Sequence, residues 1–148
     1  MTTVYREDLI TYVYCSHASQ AMATAEIAKI IRSAEKRNLE MEITGLLTYG
    51  GGMFLQWLEG PHHYVHELMA RIRKDPRHDC VLQLHSISGV QTRLYPGWSM
   101  ELVEPQDIQS VLQQAISKTD NAKHAEAITM LLQLFDDGPL EPLKSIAS

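Results

Sequence analysis

The sequence predicts an α+β sandwich, ferredoxin-like in topology (βαββαββ), with two helices over one mixed sheet and two further helices at the C-terminal end. Three observations carry this reading. Runs rich in β-branched and aromatic residues alternate with two stretches whose apolar residues recur at helical spacing. Those segments follow the order strand-helix-strand-strand-helix-strand-strand. Beyond Glu104-Pro105 the composition changes to two amphipathic helical stretches.

Leu9 to Ser16 (LITYVYCS) reads as the first strand, with Ile10, Tyr12 and Tyr14 on one face. A helix near Thr24–Asn38 follows, with Ile27, Ile30, Ile31 and Ala34 as its apolar stripe and Thr24 as N-cap. One more turn of that stripe reaches Asn38, which is either a C-cap or an amide on the buried face. Ile43–Tyr49 and the strand after it are joined by Gly50-Gly51-Gly52, the signature of a hairpin. In that next strand Phe54, Gln56 and Leu58 share one face, while Met53, Leu55 and Trp57 share the other. Gly60-Pro61 ends it and opens a helix from His62 to about Asp75 carrying Val65, Leu68, Met69 and Ile72. Strands are expected around Cys80–Ile87 and Gly97–Val103, the latter with Trp98, Met100 and Leu102 on one face. Ile108–Ile116 and Ala125–Phe135 form the last two helices, with Gly138-Pro139 ending the second. They either cover the open sheet face or form an oligomer contact.

A length of 148 residues fits one core with a helical extension, and the boundary is expected at 104/105. The formal net charge of −5 argues against nucleic-acid binding, which needs phosphate neutralisation. No apolar run approaches the ~20 residues of a membrane span, and residues 1–8 lack a signal-peptide core. The expected compartment is therefore the cytoplasm, and Cys15 and Cys80, without CxxC spacing, read as free thiols. His62, His63 and His66 cluster at a helix start but lack a partner set, so no metal site is expected.

Both faces of the Gln56 strand are apolar, so its carboxamide lies in or near a core, where an unpaired amide costs ~1–3 kcal/mol. A protein group or a polar ligand must satisfy it. Tyr14, Asn38, Gln56 and Met100 fall on core-facing sides of elements expected to be neighbours. Ile30 and Ile72 face the same space from the two helices, and Arg71, Asp75, Arg77 and His78 gather at one end of the second helix. Such residues either close into an ordinary core or frame a slot with aliphatic walls, an amide-phenol floor and a cationic mouth. A slot of that kind suits a flat heteroaromatic ring with a phosphate tail.

Six segments occur in a telling order: Tyr14-Cys15-Ser16-His17-Ala18-Ser19, Arg37-Asn38, Ile43-Thr44-Gly45-Leu46-Leu47, Phe54 to Gly60, Asp75-Pro76-Arg77-His78 and Trp98-Ser99-Met100. Together they closely resemble the BLUF family, the sensors of blue light using FAD, over about Leu9 to Val103. With two terminal helices and no recognisable effector domain, the chain looks like the stand-alone members. The resemblance implies a flavin-binding domain over 1–104, a helical extension over 105–148, and FAD as cofactor, with FMN or riboflavin as substitutes. It implies Tyr14 as the photoactive tyrosine, Gln56 as the switching glutamine, and Trp98 and Met100 as the pair that relays the signal. Cofactor contacts would come from Tyr14, Ile30, Arg37, Asn38, Phe54, Gln56, Arg71, Ile72, Asp75 and His78, with Arg71 favoured for phosphate. Ala34 stands where some members carry a hydroxyl, and Tyr95 where Phe is common.

The chemistry so implied is photochemistry without turnover. A phenol beside an excited flavin gives up an electron and then a proton. The glutamine amide, with one donor and one acceptor end, then changes its bonds and shifts the spectrum slightly to the red. No enzymatic activity is expected. Output would pass to a downstream signalling protein or through a homo-oligomer. The rival reading is a flavin-free ferredoxin-like protein-interaction module, distinguished by a colourless preparation. A flavin oxidoreductase is disfavoured by the lack of a dinucleotide fingerprint after a strand.

Overall fold

Every residue from Met53 to Pro61 is buried, because this strand sits third in a five-stranded sheet with helices on both faces. The computed structural model describes residues 8–135 apart from Ala21. Its elements are β1 (Leu9–Ala18), α1 (Thr24–Met41), β2 (Thr44–Gly50), β3 (Met53–Pro61), α2 (His62–Lys74), β4 (His78–Val90), β5 (Glu101–Leu102), a 3₁₀ turn (Pro105–Asp107), α3 (Ile108–Lys118) and α4 (Ala122–Leu134). The sheet order is β4-β1-β3-β2-β5. All pairings are antiparallel except β2 with β5, so the sheet is mixed and ferredoxin-like, as expected.

Alternation along the strands sorts the side chains into two layers. Tyr12, Tyr14, Leu47, Phe54 and Leu58 pack with Ile27, Ala34, Val65, Leu68 and Ile72 of α1 and α2. Val13, Cys15, Leu55 and Trp57 pack on the other side with Ile108, Leu112, Ile128, Leu131 and Phe135. The last two helices thus cover the second sheet face, which settles the choice that periodicity left open. Their amphipathic stripes said that they bury a face but not against what. Both cysteines are free, Cys15 buried and Cys80 exposed.

Glycine is required at the β2–β3 turn and at Gly45. The β2–β3 turn has φ of 58° at Gly51 and 75° at Gly52, the double left-handed geometry of a tight primed turn. At Gly45, with φ of 150°, an added Cβ would lie 1.7 Å from the Trp57 carbonyl oxygen, so a side chain would break the β2–β3 pairing.

Three local expectations need correction. Thr24 is the first helical residue rather than the cap; Ala23 occupies the cap position without a side-chain hydrogen bond. Asn38 does not end α1, which runs to Met41 and closes on Glu42 in the left-handed region at φ 56°. The strand expected over Gly97–Val103 shrinks to Glu101–Leu102, since bends at Ser99 and Met100 break the alternation. The Gly138-Pro139 stop lies outside the described residues.

Candidate functional site

Tyr14 on β1 and Gln56 on β3 are Cα partners in register, and Leu47 on β2 faces Gln56 from the other side. This row faces α1 and α2. The Tyr14 hydroxyl donates to Gln56 Oε1, and Gln56 Nε2 donates to Met100 Sδ at 3.3 Å. All three side chains are buried. Burial pushes the Tyr14 phenol well above its ordinary range, partly offset by the nearby Arg37 charge. Tyr14 is therefore a neutral donor, and the carboxamide passes its donation on to a sulfur.

Above this row lies a slot lined by Ile30, Ser33, Ala34 and Arg37 of α1, Ile72 of α2, Tyr14, Leu47, Phe54 and Gln56 of the sheet, and Asp75, Arg77 and His78 beyond α2. The slot has aliphatic walls and an amide-phenol floor; its mouth, expected to be cationic, sets Asp75 beside Arg77 and His78 and lacks Arg71. Phe54 packs on His78 with ring centroids 4.8 Å apart. His78 Nδ1 lies 2.8 Å from the Ser16 hydroxyl, and burial holds its imidazole below the ordinary histidine range. Arg77 donates to Asp75 through Nε and Nη2, which holds that carboxyl below its usual range. Arg37 is half-buried, and burial followed by the Arg71 charge lowers its pKa.

Some expected site residues stand elsewhere. Arg71 points to solvent, where it bonds Glu67 at 2.8 Å, and does not line the slot. Asn38 is fully buried beside the slot, its Nδ2 donating to the Ser99 carbonyl at 2.8 Å, and it ties α1 to the chain entering β5. Trp98 and Met100 do not share a face. Met100 is packed under Gln56, whereas Trp98 joins the opposite layer and stacks on Tyr95 at 4.9 Å with an interplanar angle of 6°. The bends around Ser99 separate them.

Sequence reasoning missed four contributions. Ser16 lies two residues from Tyr14 on the same face, and strand alternation alone could have placed it. Arg77 was visible only as one of several charges, and it, not Arg71, reaches the mouth. Ser33 brings a hydroxyl to the slot beside Ala34. Glu59, buried at 1% exposure, accepts from the backbone N–H groups of Leu94 and Tyr95, which fixes the loop before Trp98.

Two buried polar atoms of α1 lack partners among the described residues, Arg37 Nε and Asn38 Oδ1. Buried donors and acceptors left unpaired are costly, so a polar ligand group beside them is favoured. A flavin fits this chemistry: apolar walls for its ring faces, amides for its edge and arginines for phosphate. The side chains of α1, α2 and the sheet enclose about 50 Å³ of clear space between them. Among the described residues no group of three or more His, Cys, Asp or Glu is arranged for a metal, and no helix is long and apolar enough to cross a membrane.

Comparison with known proteins agrees with this geometry. The family profile "BLUF: Sensors of blue-light using FAD" matches residues 9–101. The chain is 41% identical over 93 residues to photoactivated adenylate cyclase subunit beta of Euglena gracilis, covering 62% of this chain and 11% of that protein. It therefore spans about a tenth of the length of that curated relative. Among solved structures, BlrB, a BLUF protein in its dark state, superposes with a TM-score of 0.68 at 31% identity, covering 87% of this chain and 96% of that one. Klebsiella pneumoniae BlrP1 with FMN and cyclic diGMP superposes with a TM-score of 0.68 at 25% identity, covering 86% of this chain and 34% of that one.

Proposed function

The chain belongs to the BLUF family; from that premise we propose that it is a blue-light flavin photoreceptor, with Tyr14 and Gln56 as its switching pair and Met100 the first residue to sense the switch. The observation that carries the proposal is the continuous hydrogen-bond chain from Tyr14 through Gln56 to Met100 on the floor of the slot. When bound and excited by blue light, a flavin supplies a strong one-electron oxidant. Tyr14 answers as donor: on losing an electron its phenol becomes a strong acid, and Gln56 Oε1 already accepts that proton. With the proton moved, the carboxamide no longer sees the same donor, and it rotates or tautomerises to new partners. Met100 Sδ then loses or keeps the Nε2 donor according to the new orientation. In a dry site each such bond weighs more than in water. A net difference of ~1–3 kcal/mol shifts a two-state contact by roughly 5–150-fold.

In this reading Ile30 and Ile72 sandwich the ring, Phe54 and His78 line it, and Asn38 and Arg37 bond its polar edge. Arg77 and Asp75 lie toward the side chain and its phosphates, with FAD the intended cofactor and FMN or riboflavin as substitutes. Trp98 contributes indirectly, as Glu59 and Tyr95 hold it against the layer of α3 and α4. Output goes to a cytoplasmic signalling partner or through self-assembly, by way of the C-terminal helices.

The deciding experiment is an absorption spectrum of the purified protein before and after blue light. A yellow preparation with a reversible red shift supports the assignment. A flavin band that stays fixed under illumination removes the switching role from Tyr14 and Gln56.

A further inference from the structure

Tyr14 is not the only phenol beneath the helices. Tyr12 lies two residues earlier on the same face of β1, equally in the buried layer under α1 and α2. The two phenols are wired oppositely. Tyr14 donates its proton to an amide oxygen. Tyr12 instead accepts, from Arg73 Nη2 at 2.6 Å, and the Arg73 guanidinium carbon sits 5.9 Å from the centroid of the Tyr12 ring. Among the described residues its own hydroxyl donates to none.

We propose that Arg73 silences Tyr12 as an electron donor, so that the oxidising equivalent created at Tyr14 stays beside Gln56. The inference rests on the photoreceptor reading above. In the competing step the Tyr14 phenoxyl radical takes an electron from Tyr12 and recovers its proton from Gln56, while Tyr12 passes its phenolic proton to water. The products are a restored Tyr14 phenol and a Tyr12 phenoxyl radical, now remote from Gln56. A guanidinium cation bonded to the Tyr12 oxygen opposes this step in two ways. It stabilises the electron-rich phenol over its oxidised form, and it engages an oxygen lone pair while offering the departing proton no base. Tyr14 has the converse arrangement, a neutral acceptor for its proton. Arg73 thus acts as a positioning residue for charge, not as a group that meets the cofactor.

The test uses the full-length flavin-loaded protein and Arg73→Met, with Arg73→Lys and the double variant Arg73→Met/Tyr12→Phe. Arg73→Met should move the distribution of the radical between the phenols toward Tyr12 by about tenfold or more, the equilibrium weight of one charge-assisted hydrogen bond. The yield of the red-shifted state should fall correspondingly. Freeze-trapped electron paramagnetic resonance under illumination should show a tyrosyl signal that disappears when Tyr12 is also replaced. The double variant should recover the wild-type yield, and Arg73→Lys should retain most of it. Independently of photochemistry, the C–O stretch of ring-labelled Tyr12, assigned by its loss in Tyr12→Phe, should shift in Arg73→Met in cofactor-free protein. A wild-type yield in Arg73→Met, or a lost yield that Tyr12→Phe does not restore, overturns the proposal. Wild-type protein without any light-induced shift overturns the photoreceptor reading itself and this inference with it.

Discussion

Tyr14 and Gln56 face one another across β1 and β3, and the phenol of one donates to the carboxamide oxygen of the other. Directly opposed residues of an antiparallel pair hold their Cβ atoms ~4.5–5.5 Å apart whatever the loops do. The bond is therefore set by strand register, and a change in the amide's orientation alters its partners without any backbone motion. Because Gln56 also reaches Met100, the same amide joins β1 to the chain entering β5.

Removing the phenolic donor should separate binding from switching. In Tyr14→Phe the ring still fills the slot floor, so flavin should remain bound while the reversible red shift disappears. Gln56 Oε1 loses its donor inside the core, which should cost ~1–3 kcal/mol of stability. Absorption spectra in the dark and light, with a denaturant titration, check both halves. A full-size shift in this variant would remove Tyr14 from the photochemistry.

Gln56→Leu keeps nearly the same volume but deletes both ends of the relay. Tyr14 then has no acceptor and Met100 no donor, so illumination should leave the spectrum unchanged and the environment of Met100 insensitive to light. Methyl-labelled methionine resonances, recorded dark and illuminated, read the second effect. A Met100 resonance that still moves with light would show that the signal bypasses Gln56.

Legibility in the sequence followed the regularity of the backbone. β3 is a straight, doubly covered strand, so simple alternation placed Phe54 and Gln56 on one face and Trp57 on the other, as found. The same rule failed at Trp98 and Met100, because alternation holds only while the chain stays extended and here it bends between them. Helical spacing correctly put Ile30 and Ile72 on the slot walls. It could not rank Arg71 against Arg77, since long cationic side chains are placed by their partners. Glu67 draws Arg71 outward and Asp75 holds Arg77 at the mouth. The bonds of Ser16 to His78 and of Glu59 to Leu94 and Tyr95 depend on segments that are distant in the chain, which no local pattern encodes.

Arg37 offers a test of cofactor retention. Its buried Nε lacks a partner among the described residues, and its side chain lines the slot. Arg37→Met keeps the aliphatic stem and removes the donors, so flavin affinity should fall by roughly 10–150-fold, the weight of one charged hydrogen bond. The folded state should lose little, since no described ion pair or hydrogen bond breaks. Isothermal titration of cofactor-free protein with FAD measures the effect, and an unchanged dissociation constant would remove Arg37 from the binding set.

Acidification should destabilise the fold through two histidines, His124 buried and His78 half-buried. His78 lies against Phe54 and Ser16, and His124 on α4 lies 2.9 Å from the Thr11 hydroxyl on β1, beneath the Trp57 ring. Burial, the leading cause in each case, holds both imidazoles below their ordinary value of ~6.5; at His78 Asp75 partly opposes it and Arg77 adds to it, and at His124 His85 adds to it. The unfolded chain therefore takes up these protons first as pH falls. Between ~6.5 and the lower folded values it binds more protons than the native state, so stability there rises with pH. The contribution is complete above the unfolded value and is lost as pH drops through the folded values, at no more than about 1.4 kcal/mol per pH unit for each histidine. Thermal midpoints measured from pH 7.5 down to 5 should decline accordingly. His124→Gln can still bond Thr11 but cannot titrate, so it should flatten the decline while leaving the neutral-pH midpoint nearly unchanged. An identical slope in that variant would place the acid sensitivity elsewhere, with His78 the next group to replace.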